Sequence, residues 1–149
     1  MQLTPTYRIA TIEDIKELHV IRMSVKENVL SNSLLVTEKD YIPFLIEHGK
    51  GWLCEIKNEI LGFAIIDIRE NNIWALFIKP GYEKMGIGKT LHDKMLKWFF
   101  TAHKNTLWLT TAPGTRAEHF YRAAGWKETH RKQNGEIHFE MTYGEWSKK

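Results

Sequence analysis

The stretch KPGYEKMGIGKTLHDKML, Lys79 to Leu96, joins an apolar run to an amphipathic one through a turn that holds three glycines. GlyLysThr at 88 to 90 looks like the end of a nucleoside-triphosphate loop, which runs glycine, four residues, glycine, lysine, then serine or threonine. That loop requires glycine at 83, and position 83 is glutamate. It also belongs to a mainly parallel sheet with an Asp-ended partner strand, whereas the next apolar run, TLWLTT, ends in threonines. The other reading is a pyrophosphate loop. Pro80 ends a strand, Tyr82 to Ile87 turn the chain, and Gly86 and Gly88 let the backbone approach a ligand where a helix opens. Exposed amides and the positive end of the helix dipole bind an anion there, with Lys84 and Lys89 adding charge.

Working outward, Tyr7 to Ala10 reads as a short strand, and Thr11 with Asp14 as a capping box that opens a helix through about Ser24. Ile12, Ile15, Leu18, His19 and Arg22 follow the helical spacing. Thr37 with Asp40 repeats the capping signal for a second helix, with Tyr41, Phe44, Leu45 and His48 on one side and Gly49 near its end. The period then changes. GWLCEI (51–56), ILGFAIIDI (60–68) and IWALFI (73–78) read as an antiparallel meander with polar turns at KNE and RENN. Beyond the glycine loop, Leu91, Met95, Trp98 and Phe99 share a helical face, and TLWLTT (106–111) reads as another strand. A helix from about Arg116 to Ala124 ends at Gly125, and WKETHR with IHFEMTY reads as a hairpin around the two-residue turn Asn134-Gly135. The sum is about seven strands and about four helices in one expected domain spanning 1–149, with its core at about 7–143.

Composition bounds the function. A chain of 149 residues, 43% hydrophobic and 26% charged, can bury a core without disulfides or metal. Its one cysteine, Cys54, lies in an apolar run, so no disulfide forms within the chain and a reducing compartment is expected. The 21 basic residues are dispersed among 18 acidic ones, which argues against a nucleic-acid partner. No apolar run has the roughly 18 to 20 residues of a membrane span, and the N-terminal residues lack a signal pattern. A soluble cytoplasmic protein with no membrane partner is expected. His19, His92, His103 and His119 show no paired ligand spacing, so no metal is expected.

A second motif, GTRAEHFYRAAGW from Gly114 to Trp126, starts right after a strand. With the glycine loop it resembles the GNAT superfamily of acyl-CoA-dependent N-acyltransferases over Tyr7 to Tyr143. That family's pyrophosphate loop, written Gln or Arg, two residues, Gly, any residue, Gly or Ala, maps onto Glu83, Lys84, Met85, Gly86, Ile87 and Gly88. Its second motif maps onto Ala117, Phe120, Tyr121, Gly125 and Trp126. Two positions depart: Glu83 stands where Gln or Arg is usual, and Gly114 replaces an Asn that many members carry. We expect Glu83 to face solvent or pair with a nearby lysine, leaving the main-chain amides to bind.

The resemblance implies an α+β fold with a central mixed, mostly antiparallel sheet between helical layers (α/β/α). It implies acetyl-CoA as co-substrate and a small amine or peptide amine as acceptor. Lys84, Met85, Gly86, Ile87, Gly88, Lys89 and Thr90 would hold the pyrophosphate, backbone groups near Phe77 and Ile78 the acetyl-pantetheine, and Ala117 and Phe120 the cofactor beside the second motif. Tyr121 would reprotonate the departing thiolate, since a phenol of reference pKa about 10 is still protonated at neutral pH. The family's base position falls on Asn72, an amide, leaving Glu70, Glu27 or water. The segment RMSVKENVLSNSLLV would read the acceptor through Arg22, Glu27 and Asn28, while Trp74 and Trp108 line a pocket or fill the core. The protein would be a monomer or a homodimer. Two other readings stand beside the enzyme: an acyl-CoA binder of the same fold without turnover, acting as a sensor or subunit, and a nucleic-acid-binding module suggested by a pI near 8.9 and six tryptophans.

Overall fold

Both Thr-x-x-Asp boxes open helices in the computed structural model, which describes residues 4–25 and 36–149. Thr11 N–H donates to Asp14 Oδ2 at 2.8 Å, and Thr37 N–H to Asp40 Oδ2 at 2.7 Å. Each box closes one 3₁₀ turn that runs into α1 (Ile15–Ser24) or α2 (Tyr41–Ile46). The strands are β1 (Thr6–Ile9), β2 (Gly49–Ile56), β3 (Glu59–Asp67), β4 (Asn72–Ile78), β5 (Leu107–Thr111), β6 (Lys127–Arg131) and β7 (Ile137–Met141). Helices α3 (Ile87–Ala102) and α4 (Arg116–Ala123) follow β4 and β5, and a short α5 (Tyr143–Ser147) ends the fold. The strand order is β1-β2-β3-β4-β5-β7-β6, with every neighbouring pair antiparallel except β4 and β5.

Helices cover both faces of this seven-stranded sheet. On one, Leu18 and Ile21 of α1 and Tyr41 of α2 pack on Leu53, Phe63, Ile65 and Ala75. On the other, Ile87, Leu91, Met95 and Phe99 of α3 join Tyr121, Trp126, Leu109 and Phe139. β3 lies between the two layers and is buried from Ile60 to Asp67, which is why its sequence is continuously apolar instead of alternating. Cys54 is a fully buried free thiol in the α3-side cluster.

Three local readings need correction. Gly49 does not end α2; it begins β2, where a Cβ would collide with the carbonyl oxygens of Phe44 and Ile66. The β6–β7 connection is not a two-residue turn. Lys132 N–H donates to Glu136 O at 2.8 Å and Gly135 N–H to Lys132 O at 2.9 Å, and only Gly135 has positive φ, 95°. The true two-residue turn is Lys57-Asn58, with φ of 50° and 67°, as the right-handed twist of a β2–β3 hairpin demands. Finally, Tyr143 is not in β7: Thr142 and Glu145 form a third capping box that starts α5, a helix beyond the four expected.

His92 fastens α3 to the segment after α4. Trp126 Nε1–H donates to His92 Nε2 at 3.0 Å, and an indole nitrogen can only donate, so the imidazole proton sits on Nδ1 and points at Asp93 Oδ1, 2.9 Å away. The residue is 3% exposed, and burial lowers its pKa despite the neighbouring carboxylate. The unfolded chain therefore binds this proton more readily than the folded one. The associated stability is complete above the reference pKa of about 6.5 and is lost as pH falls below it toward the folded-state value. Thermal melts between pH 7.5 and pH 5 are expected to show Tm falling on the acid side, with a shallower fall in His92→Gln, whose amide oxygen can still accept from Trp126. An identical slope in the variant would remove His92 as the cause.

Candidate active site

β4 and β5 run parallel but meet at one register position, Asn72 opposite Trp108. Three hydrogen bonds pin that point: Asn72 Nδ2 to Trp108 O at 3.2 Å, Trp108 N–H to Asn71 O at 3.0 Å, and Trp108 Nε1 to Glu70 O at 2.9 Å. Past it the strands part, and the outer edge of β4 is left without a partner strand. Which backbone groups face the gap follows from the other side of β4. Lys79 N–H reaches Leu61 O at 2.8 Å and Phe77 stands opposite Phe63, so alternation turns the N–H and C=O of Phe77 and Ala75 toward β3. Those of Leu76 and Ile78 face the opening. The free groups are thus one residue off the Phe77 and Ile78 pair read from the sequence, with Ile78 in common.

Trp74 is an extra residue in β4. Ile65 pairs with Ala75 and Ile66 with Ile73, which leaves Trp74 unopposed in a β-bulge. Two successive side chains, Trp74 and Ala75, consequently share the α1/α2 face with Phe77, while Ile73, Leu76 and Ile78 face α3.

At the far end of β4 the chain turns through Tyr82 N–H to Lys79 O, 3.0 Å, and a 3₁₀ turn at Glu83–Met85. Gly86 has φ 77°, a left-handed conformation that costs a side-chain-bearing residue about 1–2 kcal/mol, and a Cβ there would meet nothing within 4 Å. The 16-residue α3 starts immediately after it with no side-chain cap. Thr90 N–H already bonds Gly86 O at 3.1 Å, and the Thr90 hydroxyl turns back to the same oxygen. The amides of Ile87, Gly88 and Lys89 remain as the helix's N-terminal donors. A Cβ on Gly88 would lie 3.6 Å from Ile78 Cγ1 and 3.9 Å from the Phe120 ring, so the end of β4, the start of α3 and α4 converge on one spot. Of the expected loop residues, Lys84 and Met85 are exposed, and Lys89 pairs with Asp93 at 2.8 Å. Glu83 is held aside by Gly81 N–H at 2.9 Å and by Arg116 at 3.7 Å, not by a lysine. Backbone amides, its own first and then that of Gly81, hold its carboxyl below the usual range.

Tyr121 sits on α4 beside Ala117 and Phe120, 6% exposed, among the rings of Phe120, Trp126, Phe139 and His92. No residue hydrogen-bonds its hydroxyl among the described ones, and burial pushes its pKa well above that of a free phenol. On the opposite face Arg22 is 7% exposed, with its Cζ 4.7 Å from the Trp74 ring and 5.0 Å from that of Phe77. Its Nε and Nη1 are fully buried and have no hydrogen-bond partner among the described residues. Cation–π contact returns about 0.5–2 kcal/mol, whereas each unsatisfied buried donor costs about 1–3 kcal/mol. Packing alone does not balance that position. Phe44 stacks on Trp74 at 4.2 Å, fixing the indole that carries the guanidinium. Glu27 and Asn28 lie outside the described residues.

At the family's base position Asn72 is committed to Trp108, and of the base candidates Glu70 is exposed in the β3–β4 turn. One arrangement was not read from the sequence: His48 Nδ1 lies 3.1 Å from Asp67 Oδ1, beside a cavity of about 500 Å³ lined also by Asp40, Phe44, Arg69 and Trp74. An imidazole that donates Nδ1–H to a carboxylate presents Nε2 as a proton acceptor. Its only sequence signal is an aspartate inside the apolar run 60–68, and the partner histidine, 19 positions earlier, carries none. Among the described residues no group of three or more His, Cys, Asp or Glu could hold a metal ion, and no helix is long and apolar enough to cross a membrane.

Such a site fits a long ligand with an anionic pyrophosphate at the glycine loop and an amide-bearing arm along the open edge of β4. The chain superposes on the ribosomal-protein-S18-alanine N-acetyltransferase of Escherichia coli with a TM-score of 0.76 and 16% identity, over 94% of each chain. It superposes on the PaiA N-acetyltransferase of Thermoplasma acidophilum, solved in complex with coenzyme A, with a TM-score of 0.74 and 19% identity over 94% of this chain and 99% of that one. A GNAT-family acetyltransferase of Staphylococcus aureus Mu50 gives 0.78 and 18%, over 94% and 99%. A search of curated proteins by sequence finds no match. The model of the acetyltransferase (GNAT) family matches residues 12–126, from the turn before α1 to the Trp126 that closes on His92, and the chain belongs to that family.

Proposed function

We propose that the chain transfers the acetyl group of acetyl-CoA to a primary amine of a small molecule or peptide, by direct attack within a ternary complex. The observation that carries this reading is the uncapped N-terminus of α3, with its left-handed Gly86, set against the unpaired edge of β4. The Thermoplasma acidophilum relative, of the same fold, was solved with coenzyme A. When bound, acetyl-CoA supplies the acetyl thioester. The amides of Ile87, Gly88 and Lys89 hold the pyrophosphate, with Lys84 and Lys89 as diffuse positive charge. Leu76 and Ile78 offer backbone donors and acceptors to the pantetheine amides, and an N–H on that edge can bond the acyl oxygen, where charge develops. Ala117 and Phe120 flank the same arm.

Tyr121 keeps its proton at neutral pH because burial raises its pKa, and it hands that proton to the departing thiolate. The amine loses its proton to water or to the Asp67-oriented His48. Arg22, with Glu27 and Asn28, reads the acceptor. An acyl-CoA binder without turnover is the second reading, favoured by one observation: the family's base position is an amide tied to Trp108.

A single-turnover assay with amine in excess separates the two and avoids masking by slow product release. Tyr121→Phe is expected to bind acetyl-CoA like the parent and to lower the rate by about a hundredfold. Gly88→Glu, which puts a side chain and a negative charge against the pyrophosphate, is expected to lose acetyl-CoA binding. Binding without CoA release for any amine would leave the non-catalytic reading. A parental rate in Tyr121→Phe would remove Tyr121 as the acid.

A further inference from the structure

We propose that Arg22 is a carboxylate receptor, so that the amine acceptor is an amino-carboxylate. This rests on the acetyl-transfer reading and names its substrate class.

Arg22 lies in the last turn of α1, where an arginine of purely structural use would serve the helix's terminal carbonyls. Here two of those carbonyls have other donors: Val25 N–H donates to Arg22 O and the Ser24 hydroxyl to Ile21 O. Nor does any acid among the described residues pair with it. None of the ion pairs among the described residues includes Arg22, and Asp40, close enough to favour its charge, gives Oδ2 to the backbone and hydroxyl of Thr37. The Tyr41 hydroxyl, 3.2 Å from His19 Nδ1, also hydrogen-bonds the guanidinium and favours its charged form, but as a neutral phenol it supplies no counter-charge. The guanidinium is thus stacked on Trp74 and Phe77 and met at one edge by the Tyr41 hydroxyl, while Nε and Nη1 meet no acceptor among the described residues.

That is how a recognition arginine differs from a structural one. Aromatic stacking fixes a planar cation but leaves its in-plane donors free, and a carboxylate matches those donors in geometry and charge. The position matters equally. Trp74 is the bulged residue of β4, and without the bulge alternation would turn its ring to the α3 face, away from Arg22. The bulge therefore brings the cation to the strand whose open edge takes the acyl arm. A single guanidinium neutralises a single charge, which favours a carboxylate over a phosphate dianion.

The test compares amino acids with their amides and their decarboxylated amines as acceptors in the parent, Arg22→Met and Arg22→Lys, with kcat/KM expressed per neutral amine. Calorimetric titration of the corresponding N-acetyl amino acids runs alongside. The parent is expected to prefer the acid over its amide by about tenfold or more, as for hydrogen bonds to charged groups. Arg22→Met should lose both the preference and the binding of N-acetyl amino acids, with Tm equal to or above the parent's because an unpaired buried charge is gone. Arg22→Lys keeps the charge without the planar fork and should retain a reduced preference, which supplies the comparison if methionine packs badly. Equal kcat/KM for acid and amide, or a preference that survives in Arg22→Met, overturns the proposal while leaving acetyl transfer intact. Arg22-dependent binding of N-acetyl amino acids with no turnover of any amine sustains the proposal and overturns the activity. Failure of the parent to bind any of these carboxylates overturns the proposal.

Discussion

The single bridge between Asn72 and Trp108 is the constraint on which the rest depends. A seven-stranded sheet with every inner strand fully paired would offer a ligand no backbone except at its two outer edges. Here the two halves, β1 to β4 and β5 to β7, are joined at one point and diverge beyond it, with α3 crossing between them. The pin is strong for its size because Trp108 contributes twice, through its backbone N–H and its indole N–H, and Asn72 once. This also gives a physical reason for an amide at 72. A carboxylate there could not donate to Trp108 O, so the residue that holds the junction gives up the chance to act as a base.

The two faces of β4 carry different chemistry because the bulge at Trp74 breaks its alternation. Toward α3 lie Leu76 and Ile78, the latter against Gly88 at the start of the helix, where Phe120 also converges. Toward α1 and α2 lie Trp74 and Phe77 under Arg22, with the His48–Asp67 pair nearby. The proposed anion-binding end and the proposed acceptor-reading face are thereby separated by the thickness of one strand. The buried cation belongs to the second face alone, and Glu83, the one acid in the loop, is drawn off by Gly81 and Arg116.

Much of this was legible in the residues. The capping boxes at Thr11 and Thr37, the meander, and the glycine loop before α3 are local signals, written within four to ten positions, and each appears where its pattern stood. The spacing that excluded a triphosphate loop did so on one residue, Glu83. What was not legible is set by contacts between distant segments. The bulge at Trp74 depends on register against β3, so no pattern within 73–78 shows that Phe77 turns its backbone inward. His48 meets Asp67 only because α2 ends against β3. Arg22 fits the helical spacing of α1, and nothing near it in sequence shows its burial against Trp74 and Phe77. The hairpin at Asn134-Gly135 misled because a favourable dipeptide was overridden by a longer turn closed through Lys132 and Glu136.

Hydrogen exchange of the β4 amides, with and without coenzyme A, measures the central claim most directly. If the parting of β4 and β5 makes the cofactor site, Leu76 and Ile78 exchange fast in the free protein and slow markedly on adding coenzyme A. Ala75 and Phe77, bonded to β3, are slow in both states. Slow exchange at Leu76 and Ile78 in the free protein, or no change on saturation with coenzyme A, would contradict the account.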